Sequence, residues 1–156
     1  MNDITVRQNL WNKNFIVLAL SNLLLFMVFD MLMPTLPVFI AKNGGTSSQI
    51  GFIMGAFTFS AICIRVLTGN WGQRFNQKTQ LVLGVAACMV ATACYYWSTS
   101  SLGTLAIRLL HGLGFGVANT LYATFAAAFI PAGRRGEGLG YFGVGETTGG
   151  ALTLYR

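Results

Sequence analysis

Residues 108–116 read Arg108-Leu109-Leu110-His111-Gly112-Leu113-Gly114-Phe115-Gly116. They sit inside residues 102–129, an apolar run that carries one arginine and no acidic residue. A charge at bilayer depth costs at least ~2.5–3.5 kcal/mol, and such a residue faces a bundle interior or a water-filled path. Gly112 and Gly116 form a GxxxG pair, which lets a neighbouring helix approach backbone to backbone. This run is therefore read as an interior membrane helix with the other spans arranged around it. The competing reading has Arg108 snorkelling to the headgroups, because it lies only about 9 Å from the start of the run at helical rise.

Composition points the same way. The chain has 156 residues, 54% of them hydrophobic and 9% charged, where a soluble domain carries about 25% charged residues. The lipid bilayer is the expected solvent and partner. The net charge of +6 comes from basic residues scattered between apolar runs. They form no patch, which excludes nucleic acid as the expected partner. Cys63, Cys88 and Cys94 fall inside apolar segments, without zinc-type spacing, and read as inert packing residues. No metal site, cofactor site or catalytic constellation is expected. The single histidine and the lack of a phosphate-binding glycine loop argue against a hydrolase or an ATPase.

The pattern predicts an all-α membrane protein of about five transmembrane helices, at residues 15–40, 50–67, 81–97, 102–129 and 138–155. The polar start contains Arg7 and Lys13 and resembles a signal-peptide n-region. The apolar run behind it is too long for an h-region, so it is read as an uncleaved first helix. Pro34 and Pro37 predict that its outer end is bent or unwound. Gly51 and Gly55 make a second GxxxG pair in the second span. Lysine and arginine alternate by side. Arg7, Lys13, Arg65, Arg74, Lys78, Arg134 and Arg135 fall on one side, against Lys42 on the other. That places the amino terminus in the cytoplasm of a multi-pass protein of the cell membrane.

Four stretches together resemble the amino-terminal half of a major facilitator superfamily transporter, of the drug-exporter kind. Residues 65–78 are similar to the family's loop between helices two and three, G-x-x-x-D-R-x-G-R-K/R. Gly69, Arg74 and Lys78 match, while Gln73 stands for the aspartate and Asn76 for the second glycine. Arg108, Gly112 and Gly114 match the helix-four pattern R-x-x-x-G-x-G, with His111 where glutamine is common and Gly116 beyond it. Asp30 with Pro34 and Pro37 resembles the end of helix one. Residues 134–142 resemble the entry to helix five. The resemblance implies a partial six-helix bundle over residues 1–156, and a missing carboxy-terminal half that would complete the substrate cavity near the midplane. On this reading the chain is a truncated or incomplete transporter.

The resemblance implies transport of a small organic solute, as efflux driven by protons. A non-transporting membrane scaffold and a non-functional fragment remain open alternatives. The candidate proton-coupling residues are Asp30, Arg108, His111 and Glu146. Asp30 and Arg108 fall at similar depth if the first helix runs outward and the fourth inward. They are expected to pair, because either charge alone in lipid is costly. His111 has a blander reading as a hydrogen-bonding residue between helices, and Glu146 as a surface-seeking residue of a marginal last span. Phe115 and Phe125 are candidate cavity residues; the other phenylalanines read as lipid-facing or packing.

Overall fold

The computed structural model describes the backbone of residues 11–71, 76–98 and 100–154, and the side chains within them except at 71 and 148–154. The described residues form five helices and no strand: α1 (Lys13–Lys42), α2 (Ser47–Trp71), α3 (Gln77–Cys94), α4 (Ser101–Phe129) and α5 (Arg135–Leu154). A helix covers each expected span, and local caps explain why most begin earlier than the apolar runs. The Asn12 side chain accepts from the Phe15 N–H at 2.8 Å and starts α1. Asn76 accepts from the Lys78 N–H at 3.0 Å and starts α3. Ser100 accepts from the Gly103 N–H at 3.1 Å and starts α4. Each cap satisfies a backbone donor that the first helical turn leaves free.

The expected unwinding at Pro34 and Pro37 does not occur; α1 stays helical to Lys42. Proline is tolerated in a membrane helix where neighbouring groups hold the backbone. The Thr35 hydroxyl donates to the Met31 carbonyl at 2.6 Å, its own i−4 carbonyl rather than one that the prolines free. Leu36 and Ile40 are buried against Ile53 of α2, so the outer end is packed as well as helical. The chain then turns at Gly44, whose φ of 81° lies in the left-handed region that a side chain rarely adopts.

The bundle is inverted relative to a water-soluble one. Val17, Leu20, Leu24, Val28, Met31 and Val38 of α1 are exposed along one stripe, as are Phe52, Phe59, Ile62 and Val66 of α2. Asn22, Ser60, Thr68, Thr104, Arg108 and His111 are buried. Apolar outside and polar inside is what a bundle dissolved in lipid requires. Four described helices, α1 to α4, are long and apolar enough to cross a membrane. The fifth is glycine-rich, carries Glu137 and Glu146, and is not among them. It packs along α1. Its first turn is fastened by Arg134, which donates to both Glu137 carboxylate oxygens at 2.8 and 2.6 Å. Those hydrogen bonds hold Glu137 below the usual carboxylate range.

The interior helix is α4, as expected. It buries 44% of its most apolar stretch, against 11%, 22% and 17% for α1, α2 and α3. Its buried positions Thr104, Arg108, His111, Phe115, Ala118, Tyr122 and Ala126 recur every three or four residues and so form one seam. Glycines set its distance from both neighbours. A Cβ on Gly112 would strike the Phe57 backbone and Ser60 of α2, and one on Gly116 would come within 2.7 Å of the Ala61 carbonyl. On the other flank, a Cβ on Gly114 would meet the Gly84 carbonyl at 2.8 Å and Ala87 at 2.9 Å on α3. The second GxxxG pair behaves differently: a Cβ at Gly51 or Gly55 would meet nothing within 4 Å among the described residues. Those two glycines are not a helix contact within the described bundle.

Candidate functional site

Two features place Arg108 in the bundle. The seam of α4 turns it inward, and Gly112, one turn on, brings α2 close. The side chain is fully buried (0% exposed), which rules out snorkelling. Its guanidinium lies 5.1 Å over the Phe57 ring and 6.0 Å from the Tyr95 ring, within range of a cation–π attraction. One terminal nitrogen, Nη2, donates to the Met54 sulfur at 3.4 Å. The other two nitrogens, Nε and Nη1, are buried without a hydrogen-bond partner.

The expected ion pair with Asp30 is absent. Among the described residues the ion pair found is Arg134–Glu137. Phe29 and Met33, on either side of Asp30 in the chain, border the same cavity as Arg108. Successive residues point about 100° apart around a helix, so Phe29 and Met33 turn toward Arg108 while the half-buried Asp30 is not among the cavity residues.

His111 lies one turn from Arg108 and is 1% exposed. Its ring stands edge-on to Phe57 at 5.4 Å and to Tyr95 at 6.1 Å, and its Nδ1 has no partner. Tyr95 also keeps a buried, unpartnered hydroxyl and acts electrostatically on the arginine. Arg108, His111 and Tyr95 are thus one cluster, held by the short turn that follows α3, by α4 and by the Phe57 turn of α2. Beside it Phe26, Phe29, Phe57 and Phe115 make an aromatic layer with centroids 4.8–5.4 Å apart. Phe115 is a packing residue of that layer, and Phe125 stacks on Phe129 at 6.3 Å.

Glu146 stands apart from this cluster. It accepts from the Asn22 side chain at 3.3 Å, between α1 and α5. Asn22 is 0% exposed and its Oδ1 has no partner. Asn22 was not picked out from sequence, although an asparagine inside the apolar run 15–40 is a legible signal; Tyr95 reads from sequence as an aromatic closing the third span and not as a site residue. Of the loop residues, Gly69 lies near the end of α2 in open space and Lys78 in the first turn of α3. Asn76, which departs from the family pattern, is the α3 cap. Gln73 and Arg74 lie outside the described residues.

A polytopic helical bundle packed through glycines around a buried cation is the architecture of a membrane protein with an internal polar site. The model of the Major Facilitator Superfamily matches residues 18–155, and the chain belongs to that family. It is 30% identical over 143 residues to the staphyloferrin B transporter of Staphylococcus aureus, covering 86% of this chain and 33% of that protein. An uncharacterized MFS-type transporter of Methanocaldococcus jannaschii is 24% identical over 148 residues, 90% of this chain and 38% of that one. The quinolone resistance protein NorA of Staphylococcus aureus is 22% identical over 130 residues, 83% and 34% respectively. The chain therefore spans between 33% and 38% of the length of these curated relatives.

Proposed function

We propose that residues 1–156 are the amino-terminal part of a secondary transporter that moves a small organic solute across the cell membrane, as efflux in exchange for protons. The observation that carries this reading is the buried Arg108–His111–Tyr95 cluster, whose unpartnered polar atoms face the bundle interior. A purely structural bundle has no use for a buried, unpaired cation, because burying it costs several kcal/mol (at least ~2.5). The relatives' names, a staphyloferrin B transporter and a quinolone resistance protein, support transport of a small organic solute, and resistance to a drug is what efflux would give. Alternating access in such a fold needs a second bundle rocking against this one, so the carboxy-terminal half is part of the proposal.

In this scheme Asp30 is the group that gains and loses the proton, since arginine stays charged. Asp30 is half-buried on α1, next in sequence to the cavity residue Phe29. Full-length protein in liposomes is the test. Asp30→Asn is expected to abolish flux driven by a proton gradient while substrate binding survives. Wild-type flux with an unchanged pH profile would overturn the role given to Asp30.

The proposed orientation puts the amino terminus and the loops at Arg74 and Arg134 in the cytoplasm, with the 98–101 turn outside. Single cysteines at these positions, in a background lacking Cys63, Cys88 and Cys94, read it directly. An impermeant maleimide added to intact cells should label position 100 and leave 74 and 134 untouched. Labelling at 74 from outside reverses the assignment.

A further inference from the structure

We propose that Arg108 and the cavity beside it bind an organic monoanion, a carboxylate carried on a compact apolar or aromatic body. This deepens the transport reading, on which it rests for its biological purpose, by naming the class of solute. The cavity has a volume of about 250 Å³ and is bordered by Phe29, Met33, Met54, Phe57, Thr58 and Arg108, with Gly55 at its edge.

Three observations converge on that ligand. The guanidinium is buried and charged, yet no described carboxylate forms an ion pair with it. Its Nε and Nη1 hold N–H groups with no acceptor. Each of these N–H groups can donate one charge-assisted hydrogen bond to an anion's oxygen. Tyr95 is its polar neighbour, and a phenol is neutral at ordinary pH, so it does not balance the charge. The group that complements this uncompensated charge is therefore an anion.

The walls set the rest of the chemistry. Phe29, Phe57, Met33 and Met54 offer no donors to a second charge, and Thr58 is the one hydroxyl among them. One fixed cation in such walls suits a monoanion and disfavours phosphate or a dicarboxylate, whose second charge would be buried unpaired. An apolar cavity of about 150 Å³ holds benzene, so this larger one has room for a ring and its carboxylate. Gly55 gains a purpose here: a side chain at that position would meet nothing within 4 Å, and its absence keeps the cavity open.

The test uses the full-length protein in nanodiscs, with binding measured calorimetrically for benzoate, its neutral isostere benzamide, chloride and phosphate. Benzoate is expected to bind at least tenfold tighter than benzamide, with neither chloride nor phosphate displacing it at equal concentration. Arg108→Gln should erase the preference for benzoate over benzamide. Gly55→Leu leaves the arginine in place and fills the cavity, so it should weaken benzoate at least tenfold, and it serves where Arg108→Gln does not fold. Equal affinity for benzoate and benzamide, no binding at millimolar benzoate, or a preference that survives Arg108→Gln would overturn the proposal. Displacement by chloride would overturn it too, by showing an inorganic anion site. Nanodisc binding needs no flux, so a protein that binds benzoate through Arg108 but moves nothing contradicts the transport reading and supports this one.

Discussion

Gly112→Val is expected to destabilise the folded bundle by about 3 kcal/mol or more, the upper range for overpacking a close contact. The added atoms would land on the Phe57 backbone and the Ser60 hydroxyl. Backbone cannot move aside as a flexible side chain can, so α2 and α4 must separate. The contact between those helices is what buries Arg108 against Phe57 and Met54, and it would be lost with them. Gly51→Val is the matched control. It makes the same chemical change in an apolar helix, at a position where a Cβ meets nothing within 4 Å, and should stay within about 0.5 kcal/mol of wild type. Equilibrium unfolding in mixed micelles gives both values on the same scale. Similar losses at the two sites would mean that the α2–α4 approach is not set by glycine.

Arg108→Met is expected to act in the opposite direction, raising stability by about 1–4 kcal/mol. Well-packed apolar residues that replace buried charges are often neutral or stabilising by that amount. At this site the charge has no carboxylate to offset its burial, and two of its nitrogens lack partners. Methionine keeps much of the length of the side chain and already suits the surroundings of Met54 and Phe57. The cation–π contacts it gives up are worth about 2 kcal/mol or more when desolvated, which sets the lower end of the gain. A fall in melting temperature would show that the arginine holds the bundle together. A rise is the signature of a residue kept at the expense of stability.

These two predictions draw on unequal parts of the sequence. The spans were legible because lipid allows only helices whose apolar runs match its thickness. The interior place of α4 was legible because Arg108, His111 and two close-packed glycines fall on one seam. What spacing cannot reveal is which neighbour a face meets. Gly51 and Gly55 have the same four-residue spacing as Gly112 and Gly116, yet they line open space while the α4 pair seats α2. The Asp30–Arg108 pair failed for a related reason. Rise along the helix says nothing of rotation about its axis, which is decided by how α1 packs, and Phe29 took the inward position. Glu146 was visible as an acid in an apolar segment, but its contact with Asn22 crosses 124 residues of sequence. Such a contact depends on α5 returning along α1, which no local pattern encodes. At Pro34 and Pro37 the local rule predicted a bent or unwound end; the end does not unwind, and Leu36 and Ile40 are packed against Ile53.

Proton-gradient-driven solute flux by the full-length protein in liposomes, wild type against Arg108→Met at equal insertion, tests most directly whether the buried cation serves transport. Saturable flux in the wild type, lost by at least a hundredfold in a variant that melts no lower, is the predicted result. Arg108→Met carrying solute at the wild-type rate, or losing flux only in step with a collapse of folding, would contradict it.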